Sequence, residues 1–325
     1  MKYPIGIQTF EQIIEGGFVY VDKTDLVYKL ANEGKIYFLS RPRRFGKSLL
    51  LSTLKCYFEG RKELFKGLKI DTKEKDWKKY PVFHIDFNGY DFLNRDNLYK
   101  VIEGYITEYE RVWGRYPYSE TIGDRFAYVL SQAHRQTGLP CVVLVDEYDK
   151  PLLDVLDTGA KVKDNTQEIL VEDFNRDTLK AFYSVFKKAD ADLRFVMLTG
   201  VTKFSQVSVF SGFNQSNDIS MSREYEALCG ITEKELSEVF ASSIQDMAET
   251  LEQPYLHGPH PCQESLHCHR SEARPVVCRQ SCHRHPAQYE TQGAVAGQNR
   301  PHDLHTSQRR DRDGYGSREQ IRVKI

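Results

Sequence analysis

Ile36-Tyr-Phe-Leu-Ser-Arg-Pro-Arg-Arg-Phe-Gly-Lys-Ser48 is a short apolar run that passes through a basic turn into Gly-Lys-Ser. An apolar run of this length, closed by charge, Pro and Gly, reads as a buried strand of a parallel sheet. Leu50, Leu51, Leu54 and Phe58 then recur at helical spacing. Strand, loop and helix follow in the order that a phosphate-binding loop requires, because a helix amino terminus presents unpaired N–H groups to an anion. About a hundred residues later comes a second run, Cys141-Val-Val-Leu-Val-Asp-Glu-Tyr-Asp149. It places two carboxylates, Asp146 and Glu147, at the carboxyl end of a strand. The two segments together point to a nucleoside triphosphate and a divalent metal.

The rest of the chain is compatible with that chemistry. Its 325 residues allow two domains, and 40% hydrophobic with 12% aromatic residues suffices for a core. The formal net charge of −1 provides no global field for nucleic acid or an anionic membrane, so a DNA contact would need a local patch. No segment approaches the roughly 20 apolar residues of a membrane helix. The first residues lack the apolar stretch of a signal peptide. Cys56, Cys141 and Cys229 fall in apolar periodic segments, as free thiols in a reducing cytosol do. The expected location is cytoplasmic.

Strands and helices alternate along residues 20–250. Tyr20 to Asp25 reads as a strand end and helix start, with Thr24 or Asp25 as N-cap and Gly34 as the stop. A strand at 36–40 and a helix at 47–58 follow. Pro81 to Gly89 reads as a strand, and Leu98 to Tyr109 as an amphipathic helix. Phe126 to Ala133 forms another helix, closed by Gly138-Leu-Pro140. A strand at 141–145 leads to a polar linker from Asp157 to Thr166 and a helix over 167–187. Leu193 to Thr199 is a further strand. Thr232 and Glu235 make a capping box that opens a helix through Leu236, Val239, Phe240, Ile244 and Met247. The pattern is α/β with a mainly parallel sheet flanked by helices, then a C-terminal helical extension.

The expected roles follow from residue chemistry. Arg44, Phe45, Gly46, Lys47, Ser48 and Leu49 hold phosphates through backbone N–H groups, with the Lys47 ammonium on the β- and γ-phosphates. The Ser48 hydroxyl and the Asp146 carboxylate hold Mg²⁺. Glu147 polarises an attacking water, and Thr199, ending a third buried strand, contacts the γ-phosphate or that water. The general loop motif has glycine where this chain has Arg41, and Pro42 removes one N–H donor. Arg41, Arg43 and Arg44 suit phosphates, a partner's carboxylates or DNA, and equally a solvated turn. Asp149 and Lys150 are expected to pair with each other, His84 and Asp86 to be structural. Arg223 is a candidate arginine finger on spacing alone.

Composition changes near residue 254. Residues 254–325 hold eight of ten histidines and four of seven cysteines, but no Phe or Trp. Such a segment cannot bury enough apolar surface to order itself, and a disordered or frame-shifted tail is expected. A zinc site over Cys262 to His285 fits less well, because no C-x₂-C pair is present.

Ser-Arg-Pro-Arg-Arg-Phe-Gly-Lys-Ser48, Val-Asp-Glu-Tyr-Asp-Lys-Pro151 and Leu-Thr-Gly-Val-Thr-Lys-Phe-Ser205 closely resemble the bacterial AAA-ATPase-like family. So do Tyr-Val-Asp-Lys-Thr24 and Cys-Gly-Ile-Thr-x-x-Glu-Leu236. The resemblance runs over residues 3–250 and implies an ASCE-type P-loop NTPase, in which an extra strand separates the two motif strands. It also implies that Arg41 in place of glycine is a family trait. Members commonly continue into a PD-(D/E)xK nuclease-like domain, which is not recognisable here. The reading is a P-loop ATPase domain over 1–230, the start of a helical region over 231–253, and the tail. The expected function is ATP binding with Mg²⁺-dependent hydrolysis that drives or gates an effector, which could be linked to DNA, with oligomerisation open. The alternatives are a switch or scaffold that binds ATP without turnover, and a DNA-binding module using Arg41–Arg44.

Overall fold

The computed structural model describes residues 1–118, 120–164, 167–202 and 217–250. Residues 254–325, on which the tail and zinc expectations fall, lie outside the described residues. The chain opens with α1 (Phe10–Glu15) and α2 (Thr24–Glu33), followed by β1 (Ile36–Ser40) and α3 (Lys47–Phe58). Next come β2 (Val82–Asp86), α4 (Arg95–Trp113), α5 (Ile122–Thr137), β3 (Cys141–Asp146) and the single turn α6 (Lys150–Leu153). A hairpin of β4 (Lys161–Asp164) and β5 (Gln167–Leu170) leads to α7 (Val171–Tyr183) and α8 (Val185–Lys188). The last elements are β6 (Leu193–Gly200), β7 (Asn217–Asp218), α9 (Glu233–Val239) and α10 (Ala241–Thr250).

The main sheet has the order β2-β3-β6-β1-β7, and its pairings are parallel. β6 lies between β1 and β3, pairing Leu39 with Thr199 on one side and Val145 with Leu198 on the other. This is the α/β topology of a P-loop NTPase, with the motif strands separated by one strand. The apolar runs are explained by burial on both faces. Val143 and Val145 enter a core with α4, α5 and α7, whereas Val142 and Leu144 enter a second core with α1, α2 and α3. Leu51 and Leu54 of α3 are fully buried in the second core, which fixes the direction in which α3 leaves the phosphate loop.

Helix α4 also closes the β2 edge. Tyr109 Oη donates to the His84 carbonyl at 2.6 Å and Tyr105 Oη to the Asp86 carbonyl at 2.9 Å. Edge acceptors that would otherwise invite another strand are thus satisfied. Helices α4 and α5 are pinned by Arg125, 3% exposed, which donates to both oxygens of Glu110 at 2.9 and 2.8 Å and to Glu103 at 3.0 Å.

Several local expectations are corrected. The linker over 157–166 and the start of the expected 167–187 helix contain the β4–β5 hairpin, in which Val162 pairs with Ile169. A two-residue apolar alternation is too short to read as strand. The helix begins at Val171 and breaks at Ser184. The cap of α2 is Lys23, and Asp22 supplies the chemistry, accepting from Thr24 N–H at 2.9 Å and Thr24 Oγ1 at 2.7 Å. The capping box at Thr232 and Glu235 is present, but its helix breaks at Phe240 into α9 and α10. All three expected free cysteines are buried.

Replacing Arg125 by Ala leaves Glu110 buried without its charge partner. The expected loss is about 3–5 kcal/mol, measured as a lower urea midpoint; an unchanged midpoint would show that the pin is not load-carrying.

Candidate functional site

β1 delivers the chain to the carboxyl edge of the sheet, where backbone bonds fix the start of the loop. Ser40 N–H donates to Ser220 Oγ and Ser40 Oγ to the Val201 carbonyl, both at 2.8 Å. Arg41 N–H donates to the Gly200 carbonyl at 3.1 Å. The Arg41 guanidinium turns sideways, donating to the Ser40 carbonyl at 3.2 Å and to the Ser220 carbonyl. The residue that stands where the general motif has glycine therefore ties the loop to the turn after β7.

From Pro42 to Leu49 the loop backbone donates no hydrogen bond among the described residues. Arg44 (φ 67°) and Gly46 (φ 87°) adopt left-handed backbone that points successive N–H groups to one side. The seven N–H groups from Arg43 through Leu49 donate to no acceptor among the described residues. Lys47 is 6% exposed, and its Nζ donates to the carbonyls of Arg41 at 3.1 Å and Pro42 at 3.2 Å. The ammonium thus lies against the loop. The Ser48 hydroxyl makes no hydrogen bond among the described residues.

The carboxylates lie at the same edge. Asp146, 3% exposed, receives on Oδ1 the Thr199 hydroxyl at 2.5 Å and the Glu147 N–H at 3.0 Å. Its Oδ2 takes no hydrogen bond among the described residues. Thr199 is fully buried and its hydroxyl is committed to Asp146, so it reaches the site through that carboxylate. Glu147 has φ 49°, a conformation costly for a non-glycine residue, and it carries the side chain out of the strand. Burial and then the adjacent Asp146 raise the Glu147 pKa, against the opposing charge of Lys47.

The end of β2 adds a residue that received no functional weight from the sequence. Asp86 stands opposite Asp146 in the strand register and accepts Asn88 N–H at 2.8 Å. Burial raises its pKa, the Asn88 N–H opposes this, and Asp146 adds to the rise. Two strands ending in Asp were the available signal, but their adjacency was not. His84 is pushed toward the neutral form, chiefly by burial, and its Nε2 is buried without a partner among the described residues.

The second half of Asp146-Glu-Tyr-Asp149 has a separate task. Asp149, 1% exposed, accepts on Oδ2 the N–H groups of Val201 at 2.9 Å and Thr202 at 2.7 Å, and the Thr202 hydroxyl at 2.9 Å. Tyr148 N–H donates to the Thr199 carbonyl at 3.0 Å and Tyr148 Oη to the Thr202 carbonyl at 2.8 Å. Only glycine fits at position 200, since a Cβ there would lie 2.4 Å from the Tyr148 ring. The expected Asp149–Lys150 pair is replaced: Lys150 pairs with Asp154 at 2.7 Å, four residues on along the turn.

A largely apolar cavity of about 420 Å³ adjoins the loop. Pro4, Val21, Phe45, Leu50, Ile231 and Phe240 line it, so its walls come from segments far apart in sequence. Gly230 N–H donates to the Phe45 carbonyl at 2.9 Å. Tyr3 stacks on Phe240 with ring centres 6.0 Å apart, and its hydroxyl bonds Ser243. Lys23 holds both oxygens of Glu235 at 2.7 and 2.8 Å, while Glu235 also accepts Thr232 N–H. No local pattern in the sequence marked this cavity.

The structure therefore brings the turn from Arg44 to Leu49 and the group Asp146, Glu147 and Thr199 to one edge of the sheet. Arg223 is not among them: it is exposed on the turn Arg223–Tyr225, and Tyr225 packs on Tyr37 at the other end of β1. Among the described residues there is no group of three or more His, Cys, Asp or Glu placed to hold a metal by themselves. No helix among them is long and apolar enough to cross a membrane.

A family model described as AAA-ATPase-like, predicted AAA-ATPase, matches residues 4–210. A protein of Azotobacter chroococcum mcd 1, described as an uncharacterized protein in the vnfD 5′ region, is 45% identical over 245 residues. That match covers 75% of this chain and 45% of the relative, so the chain spans less than half of the relative's length. No solved structure matches.

Asp149→Ala removes the acceptor that holds Val201 and Thr202. The expected cost is about 2–4 kcal/mol in urea unfolding, since buried donors lose a charged partner. A midpoint equal to that of the unaltered chain would sink the clamp.

Proposed function

The chain belongs to the AAA-ATPase-like family, and from that premise we propose that it binds ATP with Mg²⁺ between β1 and α3 and hydrolyses it. The observation that carries this reading is the run of unpaired N–H groups from Arg43 to Leu49. Unpaired donors at a helix start are a standing demand for an anion, and the left-handed turns at Arg44 and Gly46 aim them together. The adjoining apolar cavity suits the nucleoside end of the ligand, because a base has a large flat apolar surface.

The donor set fits the metal as well. Ser48 has an unengaged hydroxyl and Asp146 an unengaged oxygen, the hard oxygen donors that Mg²⁺ takes alongside phosphates and water. The ion, when bound, supplies positive charge against the phosphate oxygens. Thr199 and the Glu147 N–H orient Asp146 by occupying its other oxygen. Glu147, with its raised pKa, is the group that takes the proton of the attacking water. Lys47 needs only to exchange loop carbonyls for phosphate oxygens.

A second reading, a switch that binds ATP without turnover, is favoured by one observation. Arg41 N–H is spent on Gly200 and Pro42 has none, so the first part of the loop offers no free donor. In either reading the effector, linked to DNA or nuclease-like, belongs to the proposal. Turnover measured with and without DNA separates the two.

Lys47→Ala should weaken ATP binding by at least a hundredfold in calorimetry, with the far-ultraviolet spectrum unchanged; retained affinity would refute this loop as the phosphate site. Glu147→Gln should bind ATP normally while turnover drops by a factor of about 10²–10⁴. An unaltered steady-state rate would remove Glu147 from the reaction.

A further inference from the structure

Two cations of the loop are not used by the reading above. Arg43 and Arg44 are both exposed, and neither pairs with a carboxylate among the described residues. This contrasts with Arg61, Arg111, Arg115, Arg125 and Arg176, each of which has an acidic partner. Arg41, two residues earlier, is tied to the carbonyls of Ser40 and Ser220. Of the three loop arginines, Arg43 and Arg44 are thus the two whose guanidinium groups make no hydrogen bond among the described residues, and their own N–H groups open the anion cradle.

The two face different ends of a bound nucleotide. Arg44 lines the apolar cavity together with Phe45 and Gly46, whereas Arg43 does not. The Lys47 ammonium rests on the carbonyls of Arg41 and Pro42, at the entry of the loop beside Arg43, and its charge opposes the rise in the Glu147 pKa. A nucleotide with its base in the cavity and its phosphates on the cradle therefore runs from the Arg44 side toward Lys47 and Glu147. Arg41 and Pro42 provide no free N–H there, so the entry to the loop is short of donors, and an arginine fork supplies what the backbone lacks.

We propose that the paired arginines divide the phosphate chain: Arg44 grips the phosphates next to the nucleoside, and Arg43 grips the terminal phosphate of the same chain's nucleotide. This rests on the ATP reading above. Its consequence is that the site distinguishes tri- from diphosphate without an arginine from a second subunit. Arg43 is then a substrate-contacting residue supplied in cis.

The test uses the full chain and titration calorimetry with Mg-ATP and Mg-ADP. Arg43→Ala should weaken ATP by about 10- to 100-fold and leave ADP within about threefold, the effect of one charge-assisted phosphate contact. Arg43→Lys should recover part of the loss, since it keeps the charge but not the fork. Arg44→Ala should weaken ATP and ADP by similar factors. Equal losses for both nucleotides in Arg43→Ala, or no loss in either, would overturn the division. An unchanged melting temperature for each variant excludes misfolding as the cause. If the unaltered chain binds neither nucleotide, the ATP reading itself fails; if it binds ATP and only Lys47→Ala abolishes this, the arginine proposal alone fails.

Discussion

The insertion of β6 between β1 and β3 is the constraint on which the site depends. Parallel pairing sets Thr199 beside Leu39 on one flank, and the same strand end places its hydroxyl 2.5 Å from Asp146 on the other. A shift of one residue would turn Thr199 to the opposite face and orient Val196, Leu198 and their neighbours wrongly in both cores. The buried apolar faces therefore hold the polar geometry: hydrophobic packing sets the register, and the register sets a hydrogen bond between two side chains distant in sequence. Asp149 extends this control past the strand end by binding the backbone of Val201 and Thr202.

The loop and the carboxylates oppose each other electrostatically. On one side are unpaired N–H groups, the start of α3 and three cations in five residues. On the other are Asp146, Glu147 and Asp86, where burial and the charge of Asp146 raise the pKa of Glu147 and of Asp86. Neither side is at rest by itself. The Lys47 ammonium rests on loop carbonyls, and Glu147 holds a left-handed backbone. Unsatisfied donors, crowded acids and local strain are tolerated where function needs them, because the surrounding double core is well packed.

What could be read in the sequence was local in origin. A buried strand, a phosphate loop and an acidic strand end each carry their signature within about ten residues, and Gly46-Lys47-Ser48 and Asp146-Glu147 stood out for that reason. The role of Asp149 could not be read, since its partners lie more than fifty residues away and are backbone atoms. The pairing of Asp86 with Asp146 needed strand order, which periodicity does not supply. The cavity wall needed four separate segments to meet. The β4–β5 hairpin escaped because Val162 and Ile169 alone carry its apolar alternation, too little to outweigh a polar composition.

The bond from Gly230 N–H to the Phe45 carbonyl has a mechanical consequence. Phe45 sits in the middle of the turn whose N–H groups await an anion, and Gly230 lies just before the capping box of α9. When the turn tightens around a ligand, it either breaks that bond or pulls Gly230 along with it. The helical segment is also held by Lys23 on Glu235 and by Tyr3 on Phe240, so strain from the loop reaches a segment that is anchored to the amino-terminal residues.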